Sequence, residues 1–155
     1  MTAHPASKTL SVEIPARSDY VSFVRVVVAA AADGWVNLAP DRIEDLKLAV
    51  SEATTNAINA SRRAGRSDVV RLRCTADPDQ IEVEVSDRGA GFDRSDRSPL
   101  PEPEDPARLL HESGLGLDLI ETLTDVFELD SGKDGTTVRI VVYSDRHRHS
   151  QSPHR

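Results

Sequence analysis

One stretch, Leu48–Ser61 (LAVSEATTNAINAS), limits what the rest of this chain can become. Ile43, Leu46, Val50, Ala53, Ala57 and Ala60 recur at steps of three and four, which predicts a helix with one apolar stripe. Pro40 and Asp41 open it, with Glu44 three residues after Asp41 in an Asx version of a capping box, and Gly65 closes it near Ala64. At about 100° per residue, Glu52, Asn56 and Asn59 fall within roughly 60° of each other. A carboxylate and two carboxamides therefore stack along one edge beside the apolar stripe. A merely solvated edge ordinarily carries Lys, Glu and Arg, and two Asn residues inside a helix cost propensity. Such an edge suits a ligand that needs oxygen donors and a base.

The chain has 155 residues, enough for a single domain with a real core. Its net charge of −7 argues against a nucleic-acid binder, and any bound anion must be held by local groups. Cys74 stands alone, so no internal disulfide can form and a reducing compartment is expected. The first residues lack a signal-peptide core, and the longest apolar run, Val26–Ala32, is too short to span a bilayer. The expected location is the cytoplasm, with no membrane partner.

The remaining elements follow in order. Thr9, Val12 and Ile14 predict a strand ended by Pro15. Ser18 or Asp19 caps a helix to about Ala32, with Gly34 just past its end and Arg25 in its middle. Arg62, Arg63 and Arg66 cluster where the central helix ends, which the negative end of a helix dipole already explains. Strands over 68–75 and 80–87, joined at Asp77-Pro78-Asp79, form a hairpin with one buried and one wet face. Arg and Glu on the wet face can pair across it.

Asp87 shares its parity with Ile81, Val83 and Val85. An unbroken strand aims this carboxylate at the covered face, where it needs a donor. That donor is a helix N-terminus, a buried Arg or an amino group on a ligand. Asp87-Arg88-Gly89-Ala90-Gly91 then sets two glycines directly after the strand, where the backbone turns tightly or approaches something closely. Residues 92–113 carry Pro99, Pro101, Pro103 and Pro106 and many charges, which predicts a long loop of the kind that serves as a lid. Gly114-Leu115-Gly116-Leu117 reads as the start of a helix, a natural phosphate site with free N–H groups and a positive dipole. Strands over 126–130 and 136–143 finish the fold, the last opened by Gly135-Thr136-Thr137. The domain is expected to end at residue 144, and 145–155 to form a disordered tail.

ExxxN on a helix, DxGxG after a strand, GxGL before a helix and GTT before the last strand stand in one order across residues 8–143. That ordered set resembles the GHKL superfamily of ATPases and kinases, which share the Bergerat ATP-binding fold. SEATTNA at Ser51–Ala57 and Phe23-Val24-Arg25-Val26 are most similar to bacterial anti-sigma factor serine/threonine kinases. The resemblance implies a two-layer α/β sandwich, with a mixed, mostly antiparallel sheet, helices on one face and ATP between them. It implies that Asn56 ligates Mg²⁺ on the phosphates, that Glu52 orients or deprotonates the attacking hydroxyl, and that Asp87 accepts a hydrogen bond from the adenine amino group. Gly89 and Gly91 match the close-approach glycines, Gly114 and Gly116 with Leu117 the phosphate side, and Thr136 a threonine near the adenine. Arg25 matches an arginine near the nucleotide and at the partner surface. Ala60 stands where relatives often carry a histidine, no Arg or Lys adjoins Gly114 or Gly116, and Asn59 matches no family residue and is left as a group that could support the site from behind. The implied partners are an anti-sigma-factor antagonist as phosphoacceptor and a sigma factor, with a homodimer also open. The rival expectation is a nucleotide-gated binding module that transfers nothing.

Overall fold

The structure, a computed structural model, describes residues 6–65, 69–88 and 108–151. Its strands are β1 (Lys8–Pro15), β2 (Val69–Asp77), β3 (Gln80–Asp87), β4 (Val126–Gly132) and β5 (Gly135–Tyr143). Its helices are α1 (Val21–Trp35), α2 (Pro40–Ala64), α3 (Arg108–Leu123) and α4 (Asp145–Gln151), with a 3₁₀ turn at Ser18–Tyr20 before α1. The strands form one sheet in the order β1-β2-β3-β5-β4. All four pairings are antiparallel.

Strand alternation divides the sheet into two faces. Val70, Leu72, Cys74 and Ala76 of β2 are buried, as are Ile81, Val83 and Val85 of β3 and Val138, Ile140 and Val142 of β5. Against them pack Val24 and Val28 of α1, Leu46, Val50, Ala53 and Ala57 of α2, and Leu117 and Ile120 of α3. The expected two-layer sandwich therefore forms, with one core between the sheet and its helices. The opposite face is polar. Arg71 pairs with Glu13 at 2.7 Å, and Arg139 with Glu82 at 2.7 Å and Glu128 at 3.0 Å. Exposed pairs of this kind are each worth about 0.2–1 kcal/mol.

A second fixed point ties the helical layer together. Asp125, between α3 and β4, accepts hydrogen bonds from Arg42 of α2 (2.8 Å), the Tyr143 backbone N–H (2.8 Å) and Arg148 of α4 (2.8 Å). Burial pushes its carboxyl pKa up. The Tyr143 N–H and the two guanidinium groups outweigh that and hold it below the ordinary value.

Four local expectations give way to tertiary packing. The N-cap of α2 is Ala39 with no side-chain cap, and Pro40 opens the helix, so Asp41 serves in the first turn and not as a cap. Asp19 pairs with Arg17 at 2.8 Å inside the 3₁₀ turn. α1 continues through Gly34 to Trp35 and closes with the Val36 N–H on the Ala32 carbonyl, because buried Ala31, Ala32 and Val36 hold its last turn to the core. The tail is helical over 145–151: Asp125 anchors Arg148, and the His147 ring lies 4.7 Å from that of Tyr143. Among the described residues no helix is long and apolar enough to cross a membrane.

Candidate active site

The central helix supplies one wall. Between α2 and the β3–β5 end of the sheet lies an open cleft. Ala53, Asn56, Ala57, Ala60 and Arg63 line it from α2, Leu117 from α3, and Val85, Asp87, Leu129, Thr136 and Val138 from the sheet. The three alanines are what keep it open, since any larger side chain on that face would fill the space under the sheet.

Asp87, the last residue of β3, lines the cleft from the sheet wall. It is 9% exposed, and the alternation of β3 puts it on the helical face, as its parity predicts. Thr136, also 9% exposed, is its cross-strand partner on β5, and the Thr136 hydroxyl lies 3.0 Å from that of Ser131. Gly135 makes this pairing feasible. Its φ is +132°, and a Cβ there would collide with the Asp87 carbonyl and the Arg88 backbone. The sequence marked Gly135 only as part of a strand opening; its close approach to Asp87 is what the structure adds.

Glu52 and Asn56 sit one turn apart on α2, both half-buried. α3 crosses them at Gly116, where a Cβ would stand 2.8 Å from Glu52 Oε2 and 3.5 Å from Asn56 Nδ2. A Cβ there would push the Glu52 carboxylate aside, so the glycine is what leaves the carboxylate in this position. Asn56 Nδ2 is buried with no hydrogen-bond partner among the described residues. The two ends of a carboxamide exchange by a half-turn, so either its nitrogen or its oxygen can take that position. Beside the Glu52 carboxylate, the Asn56 carboxamide adds an oxygen of the kind a hard cation such as Mg²⁺ takes, an ion that needs only one or two protein ligands beside phosphate oxygens.

Other expected residues fall elsewhere. Gly114 and Gly116 lie inside α3, which starts at Arg108, so the GxGL motif does not open the helix. The four prolines all precede Arg108, and nothing in 108–113 forbids helix. The lid expected over 92–113 is thus helical over 108–113, while 92–107, with Gly89 and Gly91, lies outside the described residues. Asn59 is exposed and outside the cleft lining. Arg25 is exposed on α1 and does not line the cleft. Glu44 of α2 feels it: the Lys47 hydrogen bond lowers the Glu44 pKa, and the charges of Lys47 and Arg25 add to that. Arg63, set down in sequence to the helix dipole, lines the cleft.

Comparison with known proteins fits this geometry. The histidine kinase-like ATPase domain matches residues 14–142. This chain belongs to that family. Within this ATP-binding family, it is 35% identical over 148 residues to the serine-protein kinase RsbW of Bacillus licheniformis, covering 92% of this chain and 90% of that protein. To the serine-protein kinase RsbW of Bacillus subtilis it is 34% identical over 137 residues, covering 86% and 84%. The chain is thus a protein serine/threonine kinase of the histidine kinase-like ATPase family, of the anti-sigma-factor kind. In fold it also matches the crystal structure of the RsbU and RsbW domains of a Mycobacterium tuberculosis protein, with a TM-score of 0.56 and 20% identity. That match covers 87% of this chain and 32% of the longer one.

Proposed function

We propose that this kinase phosphorylates an anti-sigma-factor antagonist from Mg·ATP and, in its other state, sequesters a sigma factor. The observation that carries the reading is that Asn56, Asp87 and Thr136 line one cleft, with Glu52 one helical turn before Asn56 and against Gly116 of α3. In this reading the Asp87 carboxylate accepts a hydrogen bond from the adenine amino group, with Thr136 beside it. Asn56 would hold Mg²⁺ through its side-chain oxygen, and the ion would supply charge neutralisation at the phosphates. Gly116 lets the phosphate-side helix approach α2, and Leu117 continues that wall.

The transfer itself needs positioning and charge neutralisation more than covalent chemistry. The antagonist's serine or threonine hydroxyl oxygen attacks the γ-phosphorus. The Glu52 carboxylate takes the hydroxyl proton, the bond from the γ-phosphorus to the β–γ bridging oxygen breaks, and ADP leaves. Glu52 and Asn56 lie about 6 Å apart along the axis, so the first reaches the nucleophile while the second stays on the phosphates. The partner surface is assigned to the exposed side of α1 around Arg25, where Phe23 and Val26 are 49% and 67% exposed, with Leu48 of α2 41% exposed. Exposed apolar groups around a charge suit a protein partner.

Glu52→Gln tests the mechanism. It keeps shape and packing and removes the base, so transfer from radiolabelled ATP to the antagonist should fall 10²–10⁴-fold, with Mg·ATP affinity nearly unchanged. A variant that labels as fast as wild type leaves Glu52 an ordinary polar residue. A wild type that binds ATP and partner but labels no antagonist from its own genome overturns the assigned phosphoacceptor.

A further inference from the structure

We infer that Arg63 is a nucleotide-contacting residue whose guanidinium covers the adenine at the mouth of the cleft. The inference rests on the cleft being the ATP site. Among the described residues that line the cleft, Arg63 is the one cation. Its angular position shows why it reaches in. Taking Glu52 as 0° and about 100° per residue, Asn56, Ala60, Ala53 and Ala57 lie at roughly 40°, 80°, 100° and 140°. Arg63 lies at about 20°, on the cleft side of Glu52, whereas exposed Asn59 lies at about −20°. Ala60, one turn before Arg63, is half-buried and small, so the space beside it is open to a long side chain from the next turn.

Position along the helix decides which part of the nucleotide Arg63 meets. It stands seven residues, or about 10.5 Å, beyond Asn56, on the side away from Glu52. The phosphates belong beside Asn56 and Glu52, so the far end of the stripe belongs to the base. That end is also where the sheet wall carries Asp87. β5 runs from Thr136 at the cleft to Tyr143, whose N–H is bonded to Asp125 beside Arg42, near the start of α2. The Asp87–Thr136 end of the sheet therefore lies level with the later turns of α2. A planar guanidinium there can lie over an aromatic base, attracted by its π-face. The strongly acidic chain, at net charge −7, gives such a local cation further reason.

The test is a calorimetric titration of wild type, Arg63→Ala, Arg63→Lys and Arg62→Ala with Mg·ATP and Mg·ADP. Arg62 is also exposed at the same helix end and controls for the dipole. The expected result is a threefold to thirtyfold loss of affinity in Arg63→Ala, about the same for ADP as for ATP, partly restored in Arg63→Lys, and absent in Arg62→Ala. A loss much greater for ATP than for ADP moves Arg63 to the phosphates and overturns the base assignment. Equal binding by Arg63→Ala and wild type removes Arg63 from the site altogether. If wild type binds neither nucleotide, it is the reading of the cleft that fails.

Discussion

Gly116→Ala should separate stability from catalysis. The new methyl would stand 2.8 Å from Glu52 Oε2, where ordinary contact is 3.4–4 Å. The carboxylate must move by roughly 0.6 Å or more. That oxygen is the far end of a flexible, half-buried side chain, so the movement itself costs little. Alanine inside a helix is worth about 1 kcal/mol over glycine, which raises Tm by about 2–4 °C in a domain of this size. Folding is therefore unchanged or improved. Catalysis is not, because a shift of about 1 Å in a reacting group costs on the order of 10²-fold. Asn56 Nδ2, at 3.5 Å, is in ordinary contact with the methyl, so Mg·ATP affinity should stay within about tenfold. The assays are a thermal melt, an ATP titration and phosphotransfer to an antagonist. Transfer within threefold of wild type would refute the placement of Glu52 beside Gly116 in the working state. A Tm lowered by more than a few degrees would refute the packing of α3 on α2.

Asp87→Asn should weaken ATP binding roughly tenfold to a hundredfold, because an amide is a poorer acceptor for the adenine amino group than a buried carboxylate; calorimetry checks it, and wild type should reject GTP. Asp125 should shape the acid limb of stability. Its folded pKa is held below the unfolded value of about 3.9, so its contribution is full above that pH and is lost as pH falls through the folded value. Asp125→Ala should cost about 3 kcal/mol at pH 7 and flatten that limb, as urea melts between pH 3 and 7 would show.

Much of the site was legible because it depends on near neighbours. The inward aim of Asp87 needs only the two-residue period of β3, and the edge shared by Glu52 and Asn56 needs only the helical period of α2. Neither depends on where the rest of the chain goes. The start of α3 was less legible, because the glycines signal a helix opening while 108–113 are free to extend the helix backwards. The structure resolves that competition in favour of the longer helix.

The remaining features lie between elements distant in sequence. Asn59 and Arg63 sit within about 40° of each other on α2, and the helical wheel treats them alike. Both are solvent-exposed, and only the side on which the sheet docks brings Arg63, and not Asn59, to the cleft lining. Gly116 needs no side chain because α3 crosses α2 at Glu52, a contact between residues 64 positions apart. Gly135 needs its left-handed backbone because β5 pairs with β3 in one register, which sets it against Asp87. Local periods decide which face a residue takes, whereas close approach is decided by packing the whole core, which no window of sequence contains.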